Sequence, residues 1–356
     1  MRYSTFSTLL FLSITAFASA QGEAASAVYA VVPKFTTGPF FDEVRRGCTA
    51  AAAAASAAQS NVNATCQFIG TQELDAQGQA DIIDALIGND EGNASSIAGL
   101  AVSVIDLDIT GAAIDRAMEA GIPTITFDSD APNSQRLAHV GTNNFEFGHS
   151  FAWLLATHGG GSGRDDGGGN YAIISSQGPN LDERVDGIRY KLEETFDSQW
   201  EEIQPPTDCQ DSPDVALEQM YELAASNPEL DAIVSVGGWP MWVEPSSRWK
   251  EFVDANRHLL LFVADASPEQ IALLNEGYVD ALVGQKPFEM GELAIQTLVE
   301  YNNNDTAGIE TVISTGERVY LSSSESGGDG AETSAAFNGH TFLSWVVLPF
   351  LLLLSS

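Results

Sequence analysis

The chain has 356 residues, 44% of them hydrophobic, with eighteen Phe, eight Tyr and six Trp. That is enough apolar surface to offset the entropy of an ordered chain, and it excludes a small disulfide-stapled scaffold. Forty-nine Asp and Glu against fifteen Lys and Arg give a formal charge of −34, so a phosphate backbone is repelled over most of the surface and nucleic acid is excluded as a partner. With a mean hydropathy of −0.02, the acidity belongs to a globular chain that solvates itself with carboxylates, not to a disordered one.

Residues 1–20 carry Arg2, an apolar run from Leu9 to Phe17 and then Ala18-Ser19-Ala20 before Gln21. This is the pattern of an export signal, with the mature chain expected to start near Gln21. From Ala27 onward strand and helix alternate. A β-branched run from Val28 to Pro33 is followed by a helix from Phe40 to Gln59, whose alanine-rich stretch is strongly helix-forming and lets it sit close on a sheet. A strand from Ala64 to Gly70, a helix from Ala76 to Ile87, a strand from Gly99 to Ser103, a helix from Thr110 to Ala120 and a strand from Thr124 to Phe127 come next. Units repeating at about thirty residues with short links predict a parallel sheet covered on both faces.

The alternation resumes beyond Asp128. Helices are expected at Phe145–Thr157, Asp182–Phe196, Pro213–Ser226 and Pro245–Ala255, with strands at Tyr171–Ser175, Glu202–Gln204, Ala232–Val236 and Leu259–Val263. Two lobes of similar size emerge, an α/β pair of doubly wound parallel sheets. The glycine-rich stretch from Gly159 to Asn170 has no Gly-Lys-Ser/Thr ending and is expected to be a surface loop, not a phosphate cradle.

The tail is a second address. Residues 322–340 are small and polar, with tiny residues from Ser326 to Ala331, and residues 341–356 contain a fourteen-residue apolar stretch from Thr341 to Leu354 with no Lys or Arg behind it. A span needs about 20 residues, so the expectation is a lipid-anchor (GPI) attachment signal; a tail helix kept in the membrane is the alternative. Acceptor triplets at Asn63, Asn93 and Asn304 fit a glycosylated, secreted protein. Three cysteines allow one disulfide, for which Cys48 with Cys66 is the expected pair.

Nothing in the sequence proposes a nucleophile with its base: there is no His-Glu-x-x-His, no Gly-x-Ser-x-Gly, and the five His stand apart. Asp128-Ser129-Asp130 fails as a calcium loop at both defining positions, Asn133 and His139. What remains is polar residues at strand ends, where open α/β sheets bind ligands. Those ends carry Lys34, then Pro39-Phe40-Phe41, Ser103, Asp128 with Ser129, Gln177, Gly237-Gly238-Trp239, Asp265 and Gln285. Any single Asp or Ser there is equally well a helix cap, and a bare reading makes Phe40 and Phe41 core. Together they suit a polyol, because carboxylates accept from hydroxyls and aromatic faces cover apolar C–H surface.

Several short stretches, in order, resemble the type I periplasmic sugar-binding proteins of the ribose, rhamnose and autoinducer-binding group. They are Val32-Pro33-Lys34 with Pro39-Phe40-Phe41, Ala120-Gly121-Ile122-Pro123 leading to Thr126-Phe127-Asp128-Ser129-Asp130, Gly141-Thr142-Asn143-Asn144, Glu183-Arg184-Val185-Asp186-Gly187, Ala264-Asp265-Ala266-Ser267-Pro268 and Gly284-Gln285-Lys286-Pro287-Phe288. The resemblance covers about Ala27 to Leu321. It implies ligand contacts from Lys34, from Phe40 and Phe41 by stacking, and from Ser103, Asp128, Ser129, Arg184, Asp265 and Gln285. The chain departs from the ribose binders at Gly38 and at Gly237, where they have Asn, and Trp239 near the second position joins the candidate set.

The same resemblance implies three crossings between lobes. One lobe would comprise 27–141 with 286–307, the other 142–285 with 308–321. It further implies a non-enzymatic solute receptor that needs no cofactor and clamps a sugar or related polyol for uptake or sensing. Its partner would be a membrane permease or receptor, at the cell surface by lipid anchor or in the periplasm of a bacterium. A ligand-free scaffold for adhesion or signalling is the alternative. A transcription regulator of this fold is disfavoured by the export signal and by the lack of a basic helix-turn-helix.

Overall fold

The computed structural model describes residues 25–59, 61–88, 97–158, 168–196 and 200–322. The export signal, Asn93, most of the glycine-rich stretch and everything beyond Ser322 lie outside the described residues.

The first half runs β1 (Ala25–Val32), α1 (Pro39–Ala58), β2 (Val62–Phe68), α2 (Ala76–Ile87), β3 (Ile97–Val102), α3 (Ile109–Glu119), β4 (Thr124–Phe127) and β5 (His139–Gly141). In β1 both sets of alternating side chains are apolar because both faces are covered. Tyr29 and Val31 join a core that includes Val44, Cys48, Ala51 and Ala52 of α1, and Ala30 and Val32 join one that includes Ile83 of α2 and Ile114 of α3. Pro39, with its fixed φ, opens α1. The Asp75 side chain caps α2 by accepting from the Gly78 N–H at 2.9 Å.

The second half runs α4 (Asn144–His158), β6 (Gly169–Ser175), α5 (Pro179–Phe196), β7 (Trp200–Glu202), β8 (Thr207–Asp208), α6 (Pro213–Ser226), β9 (Ala232–Ser235), α7 (Ser247–Ala255), β10 (Leu260–Ala264), α8 (Pro268–Asn275) and β11 (Ala281–Gly284). The chain then returns through α9 (Pro287–Asn302), β12 (Val312–Ser314) and β13 (Arg318–Leu321). The described strands form two sheets, one in the order β12-β5-β4-β3-β1-β2 and one in the order β13-β11-β10-β9-β6-β7 with β8 also on β6. Pairing is parallel except between β13 and β11.

Three links join the sheets, at residues 142–143, 285–286 and 315–317. The stretch 308–321, expected whole in the second lobe, is divided. Val312–Ser314 pairs with His139–Gly141 in the first sheet, and only Arg318–Leu321 joins the second. The chain thus fills the free edge of β5 before it crosses for the third time.

In each lobe one helix pair crosses at facing glycines. A Cβ on Gly47 of α1 would lie 2.0 Å from the Phe288 carbonyl oxygen of α9, and one on Gly291 would lie 2.1 Å from that of Val44. In the second lobe a Cβ on Gly148 of α4 would lie 2.2 Å from the Arg184 carbonyl oxygen of α5, and one on Gly187 would lie 2.1 Å from that of Phe145. Backbone meets backbone in both places, so no larger side chain fits.

Cys48 and Cys66 form the expected disulfide, tying α1 to edge strand β2 across a separation of 18 residues; Cys209 is free and buried. Closing a loop of this size removes about 3 kcal/mol of unfolded-state entropy. The double variant Cys48→Ser/Cys66→Ser is therefore expected to lose stability of that order in urea unfolding while keeping ligand affinity, since neither residue touches the cleft described below.

Candidate ligand-binding cleft

The carboxyl ends of β1, β4, β9, β10 and β11 face one another across the three links and line a cleft that encloses ≈ 500 Å³ with its open mouth included. Of the sequence candidates, Lys34, Phe40, Phe41, Asp128, Arg184, Trp239, Asp265 and Gln285 line it together. Ser103 and Ser129 are fully buried and are not on its wall. Ser103 Oγ donates to Asp128 Oδ2 at 2.8 Å, so it orients a wall residue. Gln177 is exposed and bonds Asp208 instead.

Arg184 sits at the back, 2% exposed. Its guanidinium donates from Nε to Asn144 Oδ1 at 2.9 Å, from one terminal nitrogen to the Val236 carbonyl at 2.7 Å and from the other to Gln285 Oε1 at 2.7 Å, and it covers the Phe147 ring at 4.3 Å. Those three bonds leave donors for a ligand in the cleft. Gln285 also accepts from Thr142 Oγ1 at 3.2 Å and donates to Asp265 Oδ1 at 2.8 Å. It therefore joins two links, the arginine and a carboxylate.

Burial pushes the Asp265 carboxyl above the usual range, and the Arg184 charge and the Gln285 bond only partly offset it. Burial likewise lowers the affinity of the Arg184 guanidinium for its proton, opposed by Asp265 and Asp128; an arginine stays charged all the same.

Opposite, Lys34 Nζ reaches across from the first lobe to Asn180 Oδ1 of α5 at 3.1 Å. Asp211 lies beside it on the cleft wall, where burial raises its carboxyl pKa against the pull of Lys34. It accepts from Trp239 Nε1 at 2.8 Å and from Ser176 Oγ at 2.9 Å. Phe41 packs edge-on against Phe35 and Phe40 with centroids 5.0 and 5.1 Å apart. It is core as well as wall, while Phe40 is half-buried.

Five non-glycine residues among those described have positive φ, and three of them, Asp128 (60°), Asp211 (51°) and Asp265 (68°), are the carboxylates of this cleft. Left-handed backbone at non-glycine positions concentrates at functional sites, where the surrounding structure holds it in place. Sequence reasoning missed Asp211, Asn180 and Trp242. Asp211 precedes Ser212, which already caps α6 by accepting from the Val215 N–H, so an acid without a capping task was the available signal. Asn180 precedes the expected helix start at Asp182 and Trp242 follows the expected strand Ala232–Val236, and neither carried a signal of its own.

Among the described residues no cluster of His, Cys, Asp and Glu is arranged to hold a metal, and no helix is long and apolar enough to cross a membrane.

Residues 29–305 match the family model described as a periplasmic binding protein domain. The chain belongs to this family. A search of curated proteins gives no match. Among solved structures, a solute-binding protein of an ABC transporter from Burkholderia graminis, in complex with D-arabinose, is 25% identical, with 87% of this chain and 100% of that one covered at a TM-score of 0.70. A glucose-galactose binding protein from Geobacillus stearothermophilus is 20% identical, with 84% and 98% covered and a TM-score of 0.68. A solute-binding protein from Agrobacterium vitis with bound D-fucose is 20% identical, with 83% and 95% covered and a TM-score of 0.67. The last two show the shared fold alone. The family is one of binding proteins, and these relatives are described by the solutes they bind, in keeping with the resemblance read from the sequence.

The raised carboxyls set a pH dependence. Folded Asp265 and Asp211 keep protons to a higher pH than they do in the unfolded chain, so their contribution to stability is present at low pH and lost as pH rises through the folded values. Ligand binding runs the other way, because only the ionised form is a charged acceptor. Affinity is expected to fall on acidification from pH 7, starting above the ~3.9 of an ordinary Asp. Asp265→Asn should bind weakly and with a flatter profile; calorimetric titration across this range measures both.

Proposed function

We propose that this periplasmic binding protein clamps one monosaccharide or related polyol between its lobes, for uptake or for sensing. The observation that carries the reading is the wall itself: Asp128, Asp211 and Asp265 alongside Lys34 and Arg184, with Phe40 and Trp239 on opposite lobes. Each hydroxyl of a sugar is a donor and an acceptor, so it can serve a carboxylate and a cation together. Charged hydrogen bonds contribute about 1.5–3 kcal/mol each. The aromatic faces suit the C–H side of a sugar ring. The D-arabinose held by the Burkholderia relative supports the same class.

In this reading Lys34, Phe40, Phe41, Asp128, Arg184, Trp239 and Asp265 contact the ligand. Ser103 and Gln285 hold contacting groups in place, and Ser129 is buried behind the wall without touching the ligand. Residues 142–143, 285–286 and 315–317 form the hinge. Melting the purified protein against D-arabinose, D-glucose, D-galactose and D-fucose tests the class. A sugar at a hundred times its dissociation constant should add about 2.7 kcal/mol, and no shift with any of them would leave a ligand-free scaffold as the reading.

The relatives' ABC-transporter setting supports a membrane permease as partner and a periplasmic location. The finer proposal is a lipid-anchored surface receptor. It rests on the export pattern, the polar 322–340 segment and the apolar 341–356 tail, all outside the described residues, and on the acceptor asparagines Asn63 and Asn304, both exposed. Phosphatidylinositol-specific phospholipase should then release the protein from intact cells. Resistance to that enzyme, with peptides from Phe337 onward in the mature chain, would overturn the anchor.

A further inference from the structure

Trp242 lies on the second-lobe wall of the cleft, at the end of the 3-10 turn Trp239–Trp242. Its indole Nε1 is buried and has no hydrogen-bond partner among the described residues, whereas the Nε1 of Trp239 is held by Asp211. Buried donors are almost always paired, so an unpaired one on a cleft wall is open to a ligand acceptor.

The position of that donor is set by Gly238. A Cβ there would sit 2.4 Å from Trp242 Cζ2, 2.7 Å from Cε2, the ring carbon bonded to Nε1, and 2.9 Å from Asp265 Oδ2. The N–H edge of the indole and the Asp265 carboxylate therefore converge on one place, which only a glycine leaves open. Asp265 Oδ1 is engaged by Gln285, and the Gly238 backbone N–H also reaches the carboxylate. A carboxylate has about four lone-pair sites, so acceptor capacity remains.

Resting on the sugar-clamping function above, we propose that Trp242 is a specificity-determining residue that reads one ligand hydroxyl jointly with Asp265. The hydroxyl donates a hydrogen bond to the Asp265 carboxylate, and its oxygen accepts one from Trp242 Nε1–H. An indole only donates and an ionised carboxylate only accepts, so the pair selects a group that does both. A hydroxyl qualifies. A methoxy group cannot donate, a protonated amine cannot accept, and a deoxy position does neither. The indole N–H is sealed from water in this structure, so the groups around it move aside as the ligand binds.

The test uses the tightest binder among D-arabinose, D-glucose, D-galactose and D-fucose, with its monodeoxy analogues, against wild type and Trp242→Phe. At one position the wild type should discriminate against the deoxy analogue by about tenfold or more, and Trp242→Phe should discriminate severalfold less there while its discrimination at the other positions is unchanged. A uniform loss of affinity with the same discrimination everywhere would show that Trp242 only packs, and would overturn the inference while leaving sugar binding intact. Absence of any sugar binding by the wild type would overturn the proposed function and this inference with it. In ¹⁵N-labelled wild type, independent of how the variant folds, the Trp242 indole N–H resonance should move downfield on saturation with the sugar; an unmoved resonance would also refute the assignment.

Discussion

The buried guanidinium of Arg184 is the constraint around which the cleft is arranged. Removing such a charge from water costs several kcal/mol, recovered only when its donors and its charge are answered. Here the answers come from many elements: Asn144 at the start of α4, the Val236 carbonyl just past β9, Gln285 in the second link, and the carboxylates Asp265 and Asp128 from opposite lobes. Even the backbone of the arginine is fixed, because its carbonyl oxygen is where Gly148 packs against α5. A helix crossing that looks like plain packing thus sets the reach of a binding side chain.

The two lobes touch through groups that also face the cleft. Lys34 crosses to Asn180, and Thr142 in the first link bonds Gln285 in the second. Closure and binding therefore draw on the same polar groups. A ligand that competes for Lys34 or Gln285 shifts the balance between open and closed lobes only by its differential affinity for the two.

Much of this architecture was legible from residue order. Apolar strands such as Val28–Val32 and Ala232–Ser235, separated by capped helices, specify a parallel sheet because both faces must be covered, and strand ends are where such sheets expose polar groups. Seven of the side chains singled out on that basis line one cleft, and an eighth, Arg184, was implied by the resemblance to the sugar-binding proteins. The failures have physical causes too. Ser103 and Ser129 share the strand-end position of Asp128, but sequence position does not tell a side chain on the wall from one a layer beneath it. Asp211 owes its place to a left-handed backbone turn at Gln210 and Asp211, and Trp242 to the room left by Gly238, neither of which shows in a hydrophobic pattern. The edge strand β12 is three residues long and half-exposed, too short for any periodicity to reveal.

That short strand and its successor β13 carry a consequence for how the molecule is made. The first sheet gains its last strand beside β5 from Val312–Ser314, and the second beside β11 from Arg318–Leu321. As the chain emerges from its N-terminus, both sheets stay unfinished until nearly the last described residue. Unpaired strand edges invite pairing with other chains, so a nascent or truncated molecule ending before Val312 leaves β5 and β11 as unpaired edges. The last strands serve as the hem of both sheets, and a loss of the final ten residues of the fold, 312–321, bares an edge in each lobe at once.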